Sequence, residues 1–359
     1  MDNTSIFQPF KINNSVINNR FVRSATVDNL GSNGIVTDSQ LELYRKLGKG
    51  GIGLIITGGL FPTRDGQAAR GQLGAHEDKV IPSLKRLTDT VHKSGGKIAA
   101  QILHGGFRCN PQVSGLQPVG PSAFTIQDTG QDVRELSGDE IYELIDAYVQ
   151  ATQRIIEAGF DAVQLHGAHG WLISAFLSPV MNRRQDEWGG TPEKRANFPR
   201  LICRNIRHMA GPDYPVLIKL GFKDYHQDGK TLSEGIAVAR ILQSSGIDAI
   251  EVSEGIEDDW GHHIRPNAVS PYYLEECREA RKQISLPLIL VGGMRKLRDM
   301  QRIVDDGIAD AISMCRPFIR DPYIVNKFLE GIAECSDCNS CNGCIEQMQR
   351  GNIHCTLPY

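Results

Sequence analysis

Short apolar runs recur along the chain, each followed by a longer stretch whose apolar residues fall at helical spacing. The runs predict strands at Phe21–Ser24, Gly53–Thr57, Ile98–Leu103, Ala162–His166, Val216–Leu220, Ala249–Ser253, Leu288–Val291 and Ala311–Met314. The intervening segments predict helices. In "SGDEIYELIDAYVQATQRIIEAG", Ser137 and Glu140 form a capping box and Gly159 supplies a left-handed stop. Continuous apolar strands are buried on both faces, as in parallel sheets covered by helices. Eight alternations of strand and helix point to a closed (β/α)8 TIM barrel.

A doubly wound sheet fits less well, because "GKGGIG" precedes a strand instead of linking a strand to a helix. The repeat spacing is too irregular for a solenoid. Residues 107–137 are polar and rich in Gly, Pro, Ser and Gln, which predicts a capping insertion after the third strand, over the site. The expected organisation is a barrel over 1–334 followed by a cysteine-rich tail over 335–359.

Composition narrows the function. The 39 basic and 42 acidic side chains nearly balance, with no lysine or arginine run, so a small-molecule partner is expected instead of nucleic acid or a membrane. "GIGLIITGGL" is too short to span a bilayer, and the N-terminus lacks a signal-peptide pattern, so the expected location is cytoplasmic. Of nine cysteines, Cys335, Cys338, Cys341, Cys344 and Cys355 crowd the end of the chain. In a reducing compartment that crowding suggests metal ligation.

In a TIM barrel the chemistry sits at the C-terminal ends of the strands. Those ends carry Ser24, Ala25 and Thr26, then Gly58 and Gly59, Gln101 with His104, His166 with His169, Lys219, Gly292 with Gly293, and Cys315 with Arg316. The late glycines and Arg316 read as a phosphate clamp, or as tight turns with a surface arginine. Gln101 and Lys219 read equally as ligand contacts or as satisfied barrel residues. The two histidines could converge on one ligand oxygen, bind a metal, or serve as core residues.

The motifs "NRFVRSAT", "QILHGG", "HGAHGWLISAFLSPVMNRRQDEWGGTPEKR", "LILVGG" and "CRPFIRDP" together resemble the Old Yellow Enzyme family of flavin oxidoreductases, over nearly the whole chain. The resemblance implies FMN on top of the barrel, with Ser24, Ala25 and Thr26 along its ring, Gly59 and Gln101 at the pyrimidine side, and Lys219 near N1. Many members carry arginine at that position, and either cation can hold negative charge on the reduced ring. Gly292, Gly293, Cys315 and Arg316 would take the phosphate. His166 and His169 would donate hydrogen bonds to a substrate oxygen, polarising the double bond that accepts hydride.

Two departures bear on the chemistry. Trp171 stands where many members have a proton-donating tyrosine, and indole is no acid at neutral pH. Val27 stands where many have a threonine or cysteine that tunes the flavin. Tyr225 and His226 after the fifth strand are the expected substitute proton donors, with His262, His263, Tyr272 and Tyr273 after the sixth as further candidates. The "EDDWGHH" run reads as a solvated acidic loop or a metal site.

The tail spacing, Cys338-x2-Cys341-x2-Cys344-x10-Cys355, resembles that of multidomain relatives, the dienoyl-thioester reductases and trimethylamine dehydrogenase. It suggests a [4Fe-4S] cluster, with zinc or an unloaded tail as alternatives. Those relatives continue into further nucleotide-binding domains, so electrons are expected from a separate electron-transfer protein or directly from NAD(P)H. The expected activity is ene-reductase-type reduction of an activated C=C bond. An oxidative amine-type dehydrogenase and an electron-transfer subunit are the alternatives, and a homo-oligomer is compatible with each.

Overall fold

The computed structural model of the chain describes residues 4–257, 271–351 and 353–358. Eight parallel strands close on themselves, and we number them β1 (Phe21–Arg23), β2 (Leu54–Ile56), β3 (Lys97–Ile102), β4 (Ala162–Gly167), β5 (Val216–Gly221), β6 (Ala249–Ser253), β7 (Leu288–Val291) and β8 (Ala311–Met314). These are the eight runs read from the sequence, within a residue or two at each end. The ring closes through β8 and β1, where Ser313 pairs with Val22.

Side-chain alternation divides the barrel interior into layers. The lower part is apolar: Val22, Leu54, Ile56, Ala99, Ala162, Leu217, Ala249, Ile289 and Ala311 form one buried cluster. An antiparallel hairpin, Phe10–Ile12 with Ser15–Ile17, plugs this end with Phe10, Ile12 and Ile17. The upper layer is polar, and it forms the floor of the site.

The helix Gly138–Glu157 shows why the outer ring forms. Ser137 Oγ accepts from the Glu140 N–H, and the Glu140 carboxylate accepts in return from the Ser137 N–H at 2.8 Å. Ile141, Leu144, Ile145, Tyr148, Ala151 and Ile155 lie on one buried stripe. Just beyond the helix, Gly159 has φ +84°, the left-handed conformation expected of it.

The 107–137 insertion forms a small sheet in which Gln131–Glu135 lies between Val119–Gly120 and Phe124–Ile126. Arg184 fastens it by donating to the carbonyls of Pro121 (3.1 Å) and Leu136 (2.6 Å). The tail is fastened too: Leu297 N–H donates to Glu334 O at 2.9 Å and Ser336 N–H to Arg295 O at 3.0 Å, which brings the cysteine segment beside the end of β7. Among the described residues, no helix is long and apolar enough to cross a membrane.

Candidate active site

A cavity of about 270 Å³ opens at the C-terminal ends of the strands. Its walls bring together every residue expected to contact a cofactor: Ser24, Ala25, Thr26, Gly59, Gln101, Lys219, Gly292, Gly293, Cys315 and Arg316. The histidine pair, His166 and His169, lines the same cavity, as does Trp171. Of the tail, Ser340, Cys344, Ile345, Met348 and Ile353 also line it.

The floor is a buried hydrogen-bond network. Gln101 Nε2 donates to Gln164 Oε1 at 2.7 Å, and Gln164 Nε2 donates to Glu251 Oε2 at 2.9 Å. The other oxygen of Glu251 accepts from Ser24 Oγ (2.8 Å) and Ser313 Oγ (2.7 Å). Lys219 Nζ lies 2.9 Å from Ser24 Oγ and 3.5 Å from Glu251 Oε1. A carboxylate with no solvent exposure is costly unless paired and hydrogen-bonded, and here both conditions hold. Sequence reasoning missed Gln164 and Glu251. The available signal was a polar residue in mid-strand, two positions before the polar end of the predicted strand: Gln164 before His166, and Glu251 before Ser253.

At the opposite end, Gly292 and Gly293 have φ of +95° and +72°. A Cβ on Gly292 would stand 2.5 Å from the Tyr272 ring, so both conformation and space require glycine there. Cys315 precedes the short helix Arg316–Arg320, and its Sγ accepts from Thr26 Oγ1 at 3.2 Å. Arg316 donates to Ser340 O (3.2 Å), Asn342 Oδ1 (2.6 Å) and the Tyr272 hydroxyl. Arg295, which the sequence reading passed over, lines the cavity and donates to Cys338 O at 3.0 Å. Gly59 has a packing reason of its own: a Cβ would lie 2.5 Å from Leu103 Cβ.

His166 lies at the end of β4, and its Nδ1 accepts from the Ala168 N–H at 3.3 Å, leaving the proton on Nε2. The His169 ring stands 5.1 Å from the His166 ring, nearly perpendicular to it, and its Nε2 is 2.8 Å from Ser253 Oγ. His169 adopts φ +61°, an uncommon conformation for a residue with a side chain. Such outliers gather where a site fixes a side chain. The Trp171 ring is 6.2 Å from His166 and 5.8 Å from the Arg108 guanidinium, the point at which the insertion reaches toward the mouth.

Four candidate residues stand elsewhere, Gly58, His104, Tyr225 and His226. Tyr225 and His226 are not among the residues lining the cavity. The reason is the preceding Asp224, which accepts from Ser178 Oγ (2.6 Å), Ile256 N–H (3.1 Å), Lys230 N–H (2.9 Å) and Lys230 Nζ (3.2 Å). That pair clamps the loop, and the Tyr225 hydroxyl donates to Glu276 Oε1 at 3.0 Å. His104 is fully buried away from the cavity, accepting from Gly106 N–H at 3.0 Å and meeting Asp65 at 3.5 Å. Burial alone would raise the Asp65 carboxyl, yet His104 holds it well below the usual range. Tyr272 and Tyr273 do line the cavity. His262, His263 and most of the "EDDWGHH" run lie outside the described residues.

The four cysteines of the expected cluster, Cys338, Cys341, Cys344 and Cys355, line a second, smaller cavity on the far side of Arg316, together with Asn342 and Thr356. Cys335 does not. All are free thiols. Among the described residues, no three His, Cys, Asp or Glu side chains gather as a metal-binding group.

Residues 5–334 match the model of the NADH:flavin oxidoreductase / NADH oxidase family. The chain is 36% identical to an NADH oxidase of Thermoanaerobacter brockii, over 98% of this chain and 56% of that protein. Its fold superposes on 2-naphthoyl-CoA reductase in complex with 2-naphthoyl-CoA with a TM-score of 0.88 at 30% identity, covering 95% of this chain and 54% of that one. Against an Old Yellow Enzyme homologue from Zymomonas mobilis the TM-score is 0.80 at 26% identity, covering 98% and 97%. The chain thus spans about half the length of the first two relatives and nearly all of the third. A closed barrel with this polar floor, carrying a family match over almost its whole length, places the chain in the NADH:flavin oxidoreductase / NADH oxidase family, FMN-dependent oxidoreductases of the Old Yellow Enzyme type.

Proposed function

We propose that this chain reduces an activated C=C bond of a small molecule, with NAD(P)H as the source of electrons. The observation that carries the reading is the meeting of two chemistries in one cavity: the Gln101 and Lys219 floor with its glycine and arginine rim, and the His166–His169 pair beside it. The residues fit FMN. Gln101 and Lys219 offer an amide and a cation to a polar ring edge, while Gly292, Gly293, Cys315 and Arg316 offer backbone approach and positive charge to a phosphate. FMN, when bound, supplies the hydride chemistry.

The chain's own residues do the rest. His166, with its proton on Nε2, and His169, braced by Ser253, hold a substrate carbonyl oxygen and stabilise the charge that develops on it. The β carbon gains hydride and the α carbon gains a proton. Anaerobic purification, release and chromatography of the flavin, and spectra on adding NADH or NADPH followed by an enone or enoyl thioester test this reading. FMN that bleaches with the nucleotide and recolours with the alkene supports it; FAD, or no flavin, overturns it.

The second cavity favours a further element. Four thiols, from Cys338, Cys341, Cys344 and Cys355, wall one small space, and their x2, x2 spacing suits a [4Fe-4S] cubane. A single zinc ion needs four ligands about 2.0–2.3 Å from one point. With a cluster there, a separate electron-transfer protein becomes a second source of electrons. Iron and sulfide analysis of anaerobically purified protein decides it, near four of each per chain being the expected content.

A further inference from the structure

Beneath the cavity floor lies a carboxylate that the expected chemistry does not use. Glu251 has no solvent exposure and is not among the residues lining the cavity. Its two oxygens receive the Ser24 and Ser313 hydroxyls, the Gln164 amide and, at 3.5 Å, the Lys219 ammonium. An ionised carboxylate only accepts hydrogen bonds, whereas a glutamine amide has one accepting and one donating end. Gln164 must therefore turn its Nε2 toward Glu251, which leaves its Oε1 for Gln101. Gln101 must in turn present Nε2 to Gln164, at 2.7 Å, with its own Oε1 directed away. Gln164 has no solvent exposure and does not line the cavity, so no solvent is at hand to tolerate the opposite orientation of its amide.

We infer that Glu251 is a positioning residue that sets, through Gln164, which end of the Gln101 amide meets the ligand. The end it selects is the carbonyl oxygen, an acceptor for a ring N–H, while Lys219 offers a donor from the next strand but one. Such a floor recognises a ring edge that carries an N–H beside a carbonyl. On the FMN reading, on which this inference rests, that edge is the pyrimidine N3–H.

The relay also predicts its own failure. With Glu251→Gln the terminal group gains a donating end, so the Gln164 and Gln101 amides can invert together and meet a ring N–H with an N–H. Gln164→Met cuts the relay and leaves Glu251 with Ser24, Ser313 and Lys219. Apoprotein is titrated with FMN and with 3-methyl-FMN, which lacks the N3–H, by flavin fluorescence, with circular dichroism confirming that each variant is folded.

Wild type is expected to prefer FMN by at least about tenfold, and both variants to lose most of that preference, a change of about tenfold for one misplaced buried hydrogen bond. Retention of the wild-type preference in the folded variants overturns the relay. Gln164→Met carries the test alone if Glu251→Gln does not fold. If wild type binds neither flavin, the cofactor reading itself fails, and the relay falls with it.

Discussion

Arg316 reaches across from the barrel to the cysteine tail, donating from Nη1 to the backbone carbonyl of Ser340 at 3.2 Å. The same guanidinium also meets Asn342 Oδ1 and the Tyr272 hydroxyl, and it lines both the mouth cavity and the cysteine-walled one. One side chain is thus shared by the phosphate end of the proposed flavin site and the segment that carries Cys338, Cys341 and Cys344. Arg316→Met is expected to weaken FMN by roughly 1.5–3 kcal/mol, the range of a charge-assisted hydrogen bond, and to make the tail easier to cleave. Flavin titration and limited proteolysis measure the two effects. A variant that loses flavin while its tail stays as resistant as before would show that the tail contacts carry little.

The histidine pair gives a second test. His166→Ala and His169→Ala are expected to keep FMN but to lose affinity for phenols and carbonyl ligands by roughly 2–4 kcal/mol each, if each donor stabilises charge on the ligand oxygen. Position 169 adds a backbone constraint, since φ there is +61°. Asparagine enters that region more readily than alanine, so His169→Asn is expected to be the more stable variant. Thermal melts alongside ligand titrations separate the two effects. Unchanged titrations in both alanine variants would return the pair to a packing role.

Much of this arrangement is legible in the sequence, for identifiable reasons. Strands buried on both faces read as predominantly apolar runs, so β1 to β8 stand out even where only three or four residues long. The hairpin of Phe10–Ile12 and Ser15–Ile17 does not, because its polar outer positions break the apolar signal and its partner is the barrel base, distant in sequence. Glu251 and Gln164 are hidden for the opposite reason. In a barrel the inward face of a strand can be polar near the mouth, and a reading that stops at the strand ends passes over the layer below. Tyr225 and His226 are legible as loop residues after β5, yet the Asp224–Lys230 clamp that turns the loop is a tertiary feature. The cysteine spacing is plain, while the docking of that segment through Arg295 and Arg316 depends on contacts between segments far apart in sequence.

The Asp224–Lys230 clamp has a pH signature. Burial alone would raise the Asp224 carboxyl, but Lys230, the Ser178 hydroxyl and two backbone N–H groups outweigh it and hold the carboxyl below its ordinary value. A group depressed in the folded state contributes stability that is present above its unfolded pKa of about 3.9 and is lost as pH falls through the folded value. Asp224→Asn removes that dependence and leaves the Lys230 ammonium, whose side chain has no solvent exposure, without its partner charge. The expected cost is about 3–5 kcal/mol near neutral pH, shrinking as the wild type itself loses the pair in acid. Denaturant melts at pH 7 and below pH 4 read the difference; an equal gap at both values would count against the clamp.

The source of the proton is the sharpest question the site raises. Trp171 occupies the cavity wall beside His166, but an indole N–H donates a hydrogen bond without giving up its proton near neutral pH. Trp171→Phe is therefore expected to change substrate fit and to keep the hydride step within about threefold. Tyr225 gives its hydroxyl to Glu276 at 3.0 Å outside the cavity lining, so Tyr225→Phe should lose about 1 kcal/mol of stability and little turnover. His226 also stands outside the cavity lining, so among the described residues the two phenols of the cavity wall, Tyr272 and Tyr273, are the candidates to test. Tyr272 is held by Arg316 beside Gly292, so Tyr273 is the phenol tested as the acid. Loss of a general acid costs about 10²-fold or more, and Tyr273→Phe is expected to slow alkene-dependent reoxidation by that order while flavin and ligand binding persist. Anaerobic stopped-flow reoxidation of the NADH-reduced variants makes the comparison. If the tryptophan variant alone is slow, the proton path runs through position 171 after all; if only Tyr225→Phe is slow, the loop after β5 opens onto the cavity during turnover.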